Sequence, residues 1–243
     1  MKSHFKRILS LFLAVVLMAV LMPCAFAAGE TTVSTPAQVL NFGLRGGHGP
    51  VSITKATLHQ GEQTDEVYLI ALGGADFSTK QQNNYTAFIC SALSLPTLYL
   101  ETVKNAALST IPVGSKVIIA GHSVGGTVAQ QFAGDEKMRD SYEILNVLAC
   151  GSPTVVLFER EGSLHRLADL MDPIAQLSLA GPVNLFYQVS YQNSNLLLEF
   201  ENPHAKSYYM DSVWADYDCL GIRGGSAYLT CKGSDCVSFS LKL

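Results

Sequence analysis

The sequence predicts an α/β fold with a mostly parallel central sheet and helices on both faces, and three observations carry that prediction. Apolar, β-branched runs alternate with stretches of helical spacing through the middle of the 243-residue chain. One such run, residues 116–120, leads through Gly121-His122-Ser123-Val124-Gly125 straight into a helical pattern over residues 124–132. No repeat, low-complexity tract or linker divides residues 28–243, so these are expected to form one domain.

The first 27 residues stand apart. Lys2, Lys6 and Arg7 precede an almost wholly apolar stretch over residues 8–22, and Ala25-Phe26-Ala27 offers small residues where a signal peptidase reads. Residues 1–27 are therefore expected to be a secretory signal peptide, and the mature protein to be extracellular. The apolar stretch is short for a bilayer span. Lipoprotein attachment at Cys24 is the competing use of this segment, but Leu21-Met22-Pro23 lacks the small residues that usually precede such a cysteine. Cleavage leaves 13 basic against 20 acidic residues, a formal charge of −7, which argues against nucleic acid as a partner.

Along the mature chain, Arg45-Gly46-Gly47-His48-Gly49 reads as a flexible loop. Residues 51–58 alternate and are rich in branched side chains, as a strand would be, and residues 66–72 read as a more buried strand. Between them, the polar residues 60–65 form a hairpin loop. Residues 85–108 have mixed helical spacing interrupted by Pro96, which gives two helical pieces. After the strand at 116–120 and its helix, Gly134-Asp135 supplies a stop. Residues 144–150 are another buried strand, ending at Gly151-Ser152-Pro153, and residues 164–167 a short one. At the C-terminus, Cys231 and Cys236 flank the turn-like Lys232-Gly233-Ser234-Asp235 between two strand-like runs, 227–230 and 237–241. A β-hairpin is expected there, with a disulfide joining Cys231 to Cys236 across it. No histidine follows Cys231 and only Cys219 lies near before it, so no metal site is expected. Cys90 and Cys150 read as core residues.

A serine at the apex of a strand–turn–helix reads as a nucleophile elbow. Glycines two positions before and after it, Gly121 and Gly125, remove side chains that would strike the neighbouring strand and helix. A serine hydroxyl needs a base within hydrogen-bond reach and a third group to orient that base. Two histidines follow Ser123, His165 and His204, and only His204 leaves room for a carboxylate on a strand end between them. Asp169 and Asp172 both lie just past residues 164–167. Asp172 is preferred because Pro173 turns the chain away from the sheet, and Asp169 stays open as a turn cap or surface group. Oxyanion donors are expected from the main-chain N–H of Val124, at a helix N-terminus, and of Gly74, with Ala75 next, in Leu72-Gly73-Gly74-Ala75. An ordinary tight turn is the competing reading of those glycines.

Four stretches resemble the class 3 lipases. Gly121-His122-Ser123-Val124-Gly125-Gly126 is similar to their G-H-S-x-G-G/A elbow, and Ala149-Cys150-Gly151-Ser152-Pro153 to their T-F-G-x-P strand end. Asp172-Pro173-Ile174-Ala175 is similar to their D-x-V-P acid loop, and His204 with Tyr208 to their H-x-x-x-Y base loop. The resemblance spans residues 51–209. It implies an α/β-hydrolase fold, Asp172 rather than Asp169 as the acid, and hydrolysis of lipid or small carboxylic esters through an acyl-enzyme, with no cofactor. Two departures stand out: Ala71-Leu72-Gly73-Gly74 replaces the family's F-R-G-S/T oxyanion segment, and Ala175 replaces its second proline. Residues 88–100, with Leu93, Leu95, Leu98 and Leu100, are the one stretch suited to an apolar lid making transient contact with a lipid interface; helix core is the alternative. Other uses of the same scaffold are a short-chain esterase, another acyl hydrolase or peptidase, or an inactive binding protein.

Overall fold

The computed structural model describes residues 29–45, 49–75, 82–93, 95–155, 160–176, 189–192 and 202–242, the last strand before residue 202 as backbone only. The signal-peptide reading and Cys24 lie outside the described residues. Among the described residues no helix is long and apolar enough to cross a membrane.

Eight strands form one mixed sheet in the order β1-β8-β2-β3-β4-β5-β6-β7. Its parallel part comprises β3 (Gln63–Leu72), β4 (Lys116–His122), β5 (Glu143–Cys150), β6 (Ser163–Asp169) and β7 (Val189–Gln192). At the other edge β1 (Glu30–Val33), β8 (Tyr228–Phe239) and β2 (Val51–Gln60) pair antiparallel. The helices are α1 (Pro36–Arg45), α2 (Tyr85–Ala92), α3 (Leu98–Thr110), α4 (Val124–Gly134) and α5 (Glu136–Ser141), followed by the single turns α6 (Pro173–Gln176), α7 (Pro203–Lys206) and α8 (Asp211–Trp214).

Strand β4 shows why the sheet is covered on both faces. Its side chains alternate by geometry, yet Val117, Ile118, Ile119 and Ala120 are all fully buried. Val117 and Ile119 pack with Tyr99 and Val103 of α3 and with Val128 and Phe132 of α4. Ile118 and Ala120 pack on the opposite side with Leu40 of α1, Tyr208 and Trp214. Each large aliphatic side chain buried this way contributes roughly 1.5–3 kcal/mol. The strand ends of the parallel half all point the same way, and the site is built there.

The α1 helix was not legible as a helix because Gly43 interrupts the pattern. A Cβ at Gly43 would lie 2.3 Å from the Cβ of Ala71, so the glycine lets the helix lie close on β3. Its start signal is present: the Thr35 hydroxyl accepts from Gln38 N–H at 3.2 Å and Pro36 occupies the first position. Arg45, expected in a loop, closes this helix. The β2–β3 turn is tighter than expected: Gln60 pairs with Gln63, and Gly61 takes φ 62°, the glycine-first geometry of a two-residue turn.

The C-terminal hairpin is overturned. Residues 228–239 form one strand held between β1 and β2, with Cys231 opposite Ala56 and Cys236 opposite Thr54. Residues 232–235 are taken up as a bulge at Lys55, because the runs before and after them, 228–231 and 236–239, both pair with β2 and keep the chain running in one direction instead of folding it on itself. Cys231 and Cys236 therefore follow each other along a strand, not across a turn, and both are free thiols. Cys150 is buried, as expected, while Cys90 is only partly so.

Candidate active site

Strand β4 runs into α4 through Ser123, whose φ of 56° and ψ of −124° make it the single non-glycine residue with positive φ among the described residues. Such a conformation costs about 1–3 kcal/mol and persists only where the surroundings enforce it. Here they do. A Cβ on Gly121 would lie 2.2 Å from the carbonyl oxygen of Gly125, and one on Gly125 would lie 2.3 Å from that of Leu72 and 2.6 Å from that of Gly73. The two glycines expected from the motif let strand, helix and the loop after β3 converge on the serine.

His204 reaches Ser123 from a segment whose every turn is fixed. The Asn202 side chain accepts from Ala205 N–H at 3.1 Å and Pro203 opens the turn, which sets α7 and the direction of His204. Behind it, Tyr208 stacks on Trp214 at 5.7 Å, and the Trp214 indole N–H donates to the Ser207 carbonyl at 3.0 Å. Helix α1 holds the same segment from outside: Asn41 donates to the Tyr209 carbonyl at 2.8 Å, and Thr35 and Gln38 donate to the Asp211 carboxylate.

The three residues singled out from the sequence meet in one relay. Ser123 Oγ lies 2.8 Å from His204 Nε2, and His204 Nδ1 lies 2.9 Å from Asp172 Oδ2. With Asp172 accepting from Nδ1–H, Nε2 is free to accept the serine proton. Asp172 is fully buried. Burial alone would raise its pKa, but hydrogen bonds from His204, Tyr208 and the Ile174 N–H, with the attraction of His204, hold it below the usual carboxylate range. Asp169, the other candidate, sits at the end of β6, where its carboxylate accepts from Met171 N–H at 2.9 Å. Its main-chain N–H donates to the Tyr208 hydroxyl, which in turn donates to Asp172 Oδ2 at 2.7 Å. Gly151, with φ 60°, makes room for this pair: a Cβ there would lie 2.6 Å from the Tyr208 ring and 3.0 Å from Asp172 Oδ2.

Sequence reasoning missed His122. Its Nε2 lies 2.8 Å from the main-chain oxygen of His204, and since a carbonyl only accepts, Nε2 carries the proton. Burial, then repulsion from His204, pushes the His122 pKa down to about 3, so the ring stays neutral and serves as a strut under the catalytic-looking histidine. The preceding-residue position in the elbow was the available signal.

On the other side of Ser123, Val124 opens α4, where the first main-chain N–H groups lack partners within the helix. Gly74 lies against the serine: a Cβ on it would be 3.2 Å from the Ser123 Cβ and 3.0 Å from His122 Nδ1. Its loop is tied down at three points, by Gly73 N–H to the Pro50 carbonyl at 2.7 Å, the Tyr99 hydroxyl to the Gly73 carbonyl at 3.0 Å, and the buried Asn83 amide to the Gly74 carbonyl at 2.6 Å. Neither Tyr99 nor Asn83 was recognisable in advance, because each comes from a separate element. Ala75 lines the adjoining wall.

Ser123 and His204 open into a cavity of about 480 Å³ whose wall includes Phe88, Ile174 and Tyr209. Of the leucines considered for a lid, Leu100 is core, while Leu93, Leu95 and Leu98 project into solvent at 51%, 48% and 64% exposure. Among the described residues, no three His, Cys, Asp or Glu side chains gather as metal ligands would. Chemically, the arrangement can deprotonate a serine, hold the resulting imidazolium against a buried carboxylate, and offer main-chain donors to a developing oxyanion. No protein-family model, curated protein or solved structure matches the chain.

Proposed function

We propose that this protein is a secreted serine hydrolase of carboxylic esters, with an α/β-hydrolase fold and lipid esters as its substrate class. The observation that carries the reading is the unbroken Ser123–His204–Asp172 relay, set on a strained serine at the mouth of an apolar cavity. The resemblance of four motifs to class 3 lipases supports the substrate class, and residues 1–27 support export.

In this mechanism Ser123 Oγ attacks the ester carbonyl carbon while His204 Nε2 takes the hydroxyl proton. The tetrahedral oxyanion is held by the N–H groups of Val124 and Gly74. Collapse expels the alcohol, which receives the proton from His204, and leaves an acyl group on Ser123. Water, deprotonated by His204, then releases the acid and restores the serine. Asp172 keeps the imidazole in one tautomer and stabilises its charged form, and Tyr208 fixes the carboxylate. Every proton in this cycle is moved by the chain's own residues.

Hydrolysis of p-nitrophenyl esters of increasing acyl length by residues 28–243, with Ser123→Ala in parallel, tests the proposal. Turnover rising with chain length and lost in the variant supports a lipase. Turnover confined to short chains makes the protein an esterase, and no Ser123-dependent turnover on any ester turns the reading toward a binding protein on the same scaffold.

A further inference from the structure

Among the described residues that line the cavity at Ser123, Arg45 carries the one permanent charge. The neighbouring wall is apolar, with Phe88, Ile174 and Tyr209 on it, and His122 is neutral. Arg45 is exposed to solvent, yet its side chain is held in place. Thr35, Gln38, Asn41 and Arg45 follow one another at spacings of three and four, so they share one side of α1, and each touches the base segment. The first three hydrogen-bond Asp211 and Tyr209, and the Arg45 guanidinium carbon lies 3.8 Å above the Tyr209 ring centre. The cation is thereby held on a ring that forms part of the cavity wall.

The stack on Tyr209 and the negative end of α1 explain why a cation sits comfortably here. Neither neutralises it. Among the described residues no carboxylate pairs with Arg45, although the mature chain holds seven more acidic than basic residues. An unpaired guanidinium beside a nucleophile offers a planar fork of N–H donors matched to phosphate or carboxylate oxygens.

We propose that Arg45 selects for ester substrates that carry an anionic oxygen group, a phosphate or a carboxylate, away from the scissile bond, while the apolar wall takes their hydrocarbon part. This rests on the ester-hydrolase reading of Ser123. A phospholipid headgroup and a small acidic ester present the same chemistry to the guanidinium, so both sources are tested.

The experiment measures kcat/KM on two matched pairs, each used as monomers in solution. One pair is dihexanoyl phosphatidic acid against dihexanoylglycerol; the other is mono-p-nitrophenyl glutarate against p-nitrophenyl butyrate. Wild type, Arg45→Lys and Arg45→Met are compared, the last keeping an apolar stem against Tyr209. The expected result is a fall of about tenfold or more in the anionic-to-neutral ratio for Arg45→Met. Arg45→Lys retains part of it, and added salt erodes the wild-type ratio. A drop confined to the phospholipid pair assigns the anion to a headgroup, and one confined to the glutarate pair assigns it to a small acid. An unchanged ratio in both pairs, with Ser123-dependent turnover intact, overturns the inference and leaves the ester reading standing. Equal loss on all four esters also overturns it, making Arg45 a brace for Tyr209. Absence of Ser123-dependent turnover on all four in the wild type removes both readings together.

Discussion

The two halves of the sheet follow different rules. In the parallel half, β3 to β7, the central strands β4 and β5 are buried on both faces, and the aligned strand ends bring Gly74, Ser123, Gly151 and the loop bearing Asp172 to one place. In the antiparallel edge, β1, β8 and β2, the chain absorbs a bulge of four residues opposite Lys55, and the side chains of the bulge itself are largely exposed. Contacts in the first half are set to a few tenths of an ångström by backbone collisions, and those in the second tolerate an irregular register. Tight tolerance marks the half that holds the Ser123–His204–Asp172 relay.

Replacing the buried acid is expected to have the largest effect. Asp172→Asn leaves the hydrogen-bonding shape but favours the wrong imidazole tautomer, so kcat on a p-nitrophenyl ester should fall about 10,000-fold with the fold intact by circular dichroism. A loss of less than tenfold would detach Asp172 from the chemistry.

Gly125→Ala comes next. Its new Cβ meets the backbone oxygens of Leu72 and Gly73, which cannot rotate aside, so the turn and the loop after β3 must separate. Urea unfolding should show a stability loss of about 2 kcal/mol, and activity should fall with it. An unchanged midpoint would mean that the packing of this half is looser than its geometry states.

The neutral state of His122 gives a pH signature. Its native pKa of about 3 lies below the value near 6.5 of an unfolded histidine, so the unfolded chain binds the extra proton between those limits. The stabilising contribution is fully present above pH 6.5 and is lost as pH falls toward 3. His165, whose pKa burial also lowers, adds a slope of the same sign, and Asp172 adds one below about pH 4. Urea midpoints for His122→Asn between pH 4 and 7 should fall less steeply than those of the wild type. Parallel curves would contradict the buried neutral ring.

The smallest effect is expected at the other edge. Two extra residues, Gly-Ser, inserted after Gly233 lengthen an exposed bulge far from the relay. Activity should change by less than about twofold and Tm by no more than about 2 °C. A large loss would show that the two halves are coupled.

What could be read from the sequence follows the same division. Ser123, Val124, His204 and the strands feeding them were legible because an elbow demands glycines at fixed spacing and parallel strands demand continuous apolar runs. Asp172 was separated from Asp169 by motif resemblance, and only the fold shows the physical reason: Asp169 ends β6 while Asp172 lies past the turn, against His204 and Tyr208. The bulge was hidden because turn-forming residues between strand-like runs read equally as a hairpin; what decides is that both runs pair with β2, a long-range match that leaves no local signal. Helix α1 was hidden by Gly43, a residue chosen for closeness to Ala71 at the expense of helix propensity. His122, Asn83 and Tyr99 act on main-chain carbonyls of distant segments, and such contacts leave no local pattern.

The account turns on Ser123 being activated by His204, and covalent labelling tests this without knowledge of the substrate. A fluorophosphonate incubated with residues 28–243, followed by peptide mass spectrometry, should place one adduct on Ser123. That adduct should be absent in Ser123→Ala and form at least about a thousandfold more slowly in His204→Ala. A folded wild-type protein that is not labelled at Ser123, or is labelled equally fast without His204, would contradict it.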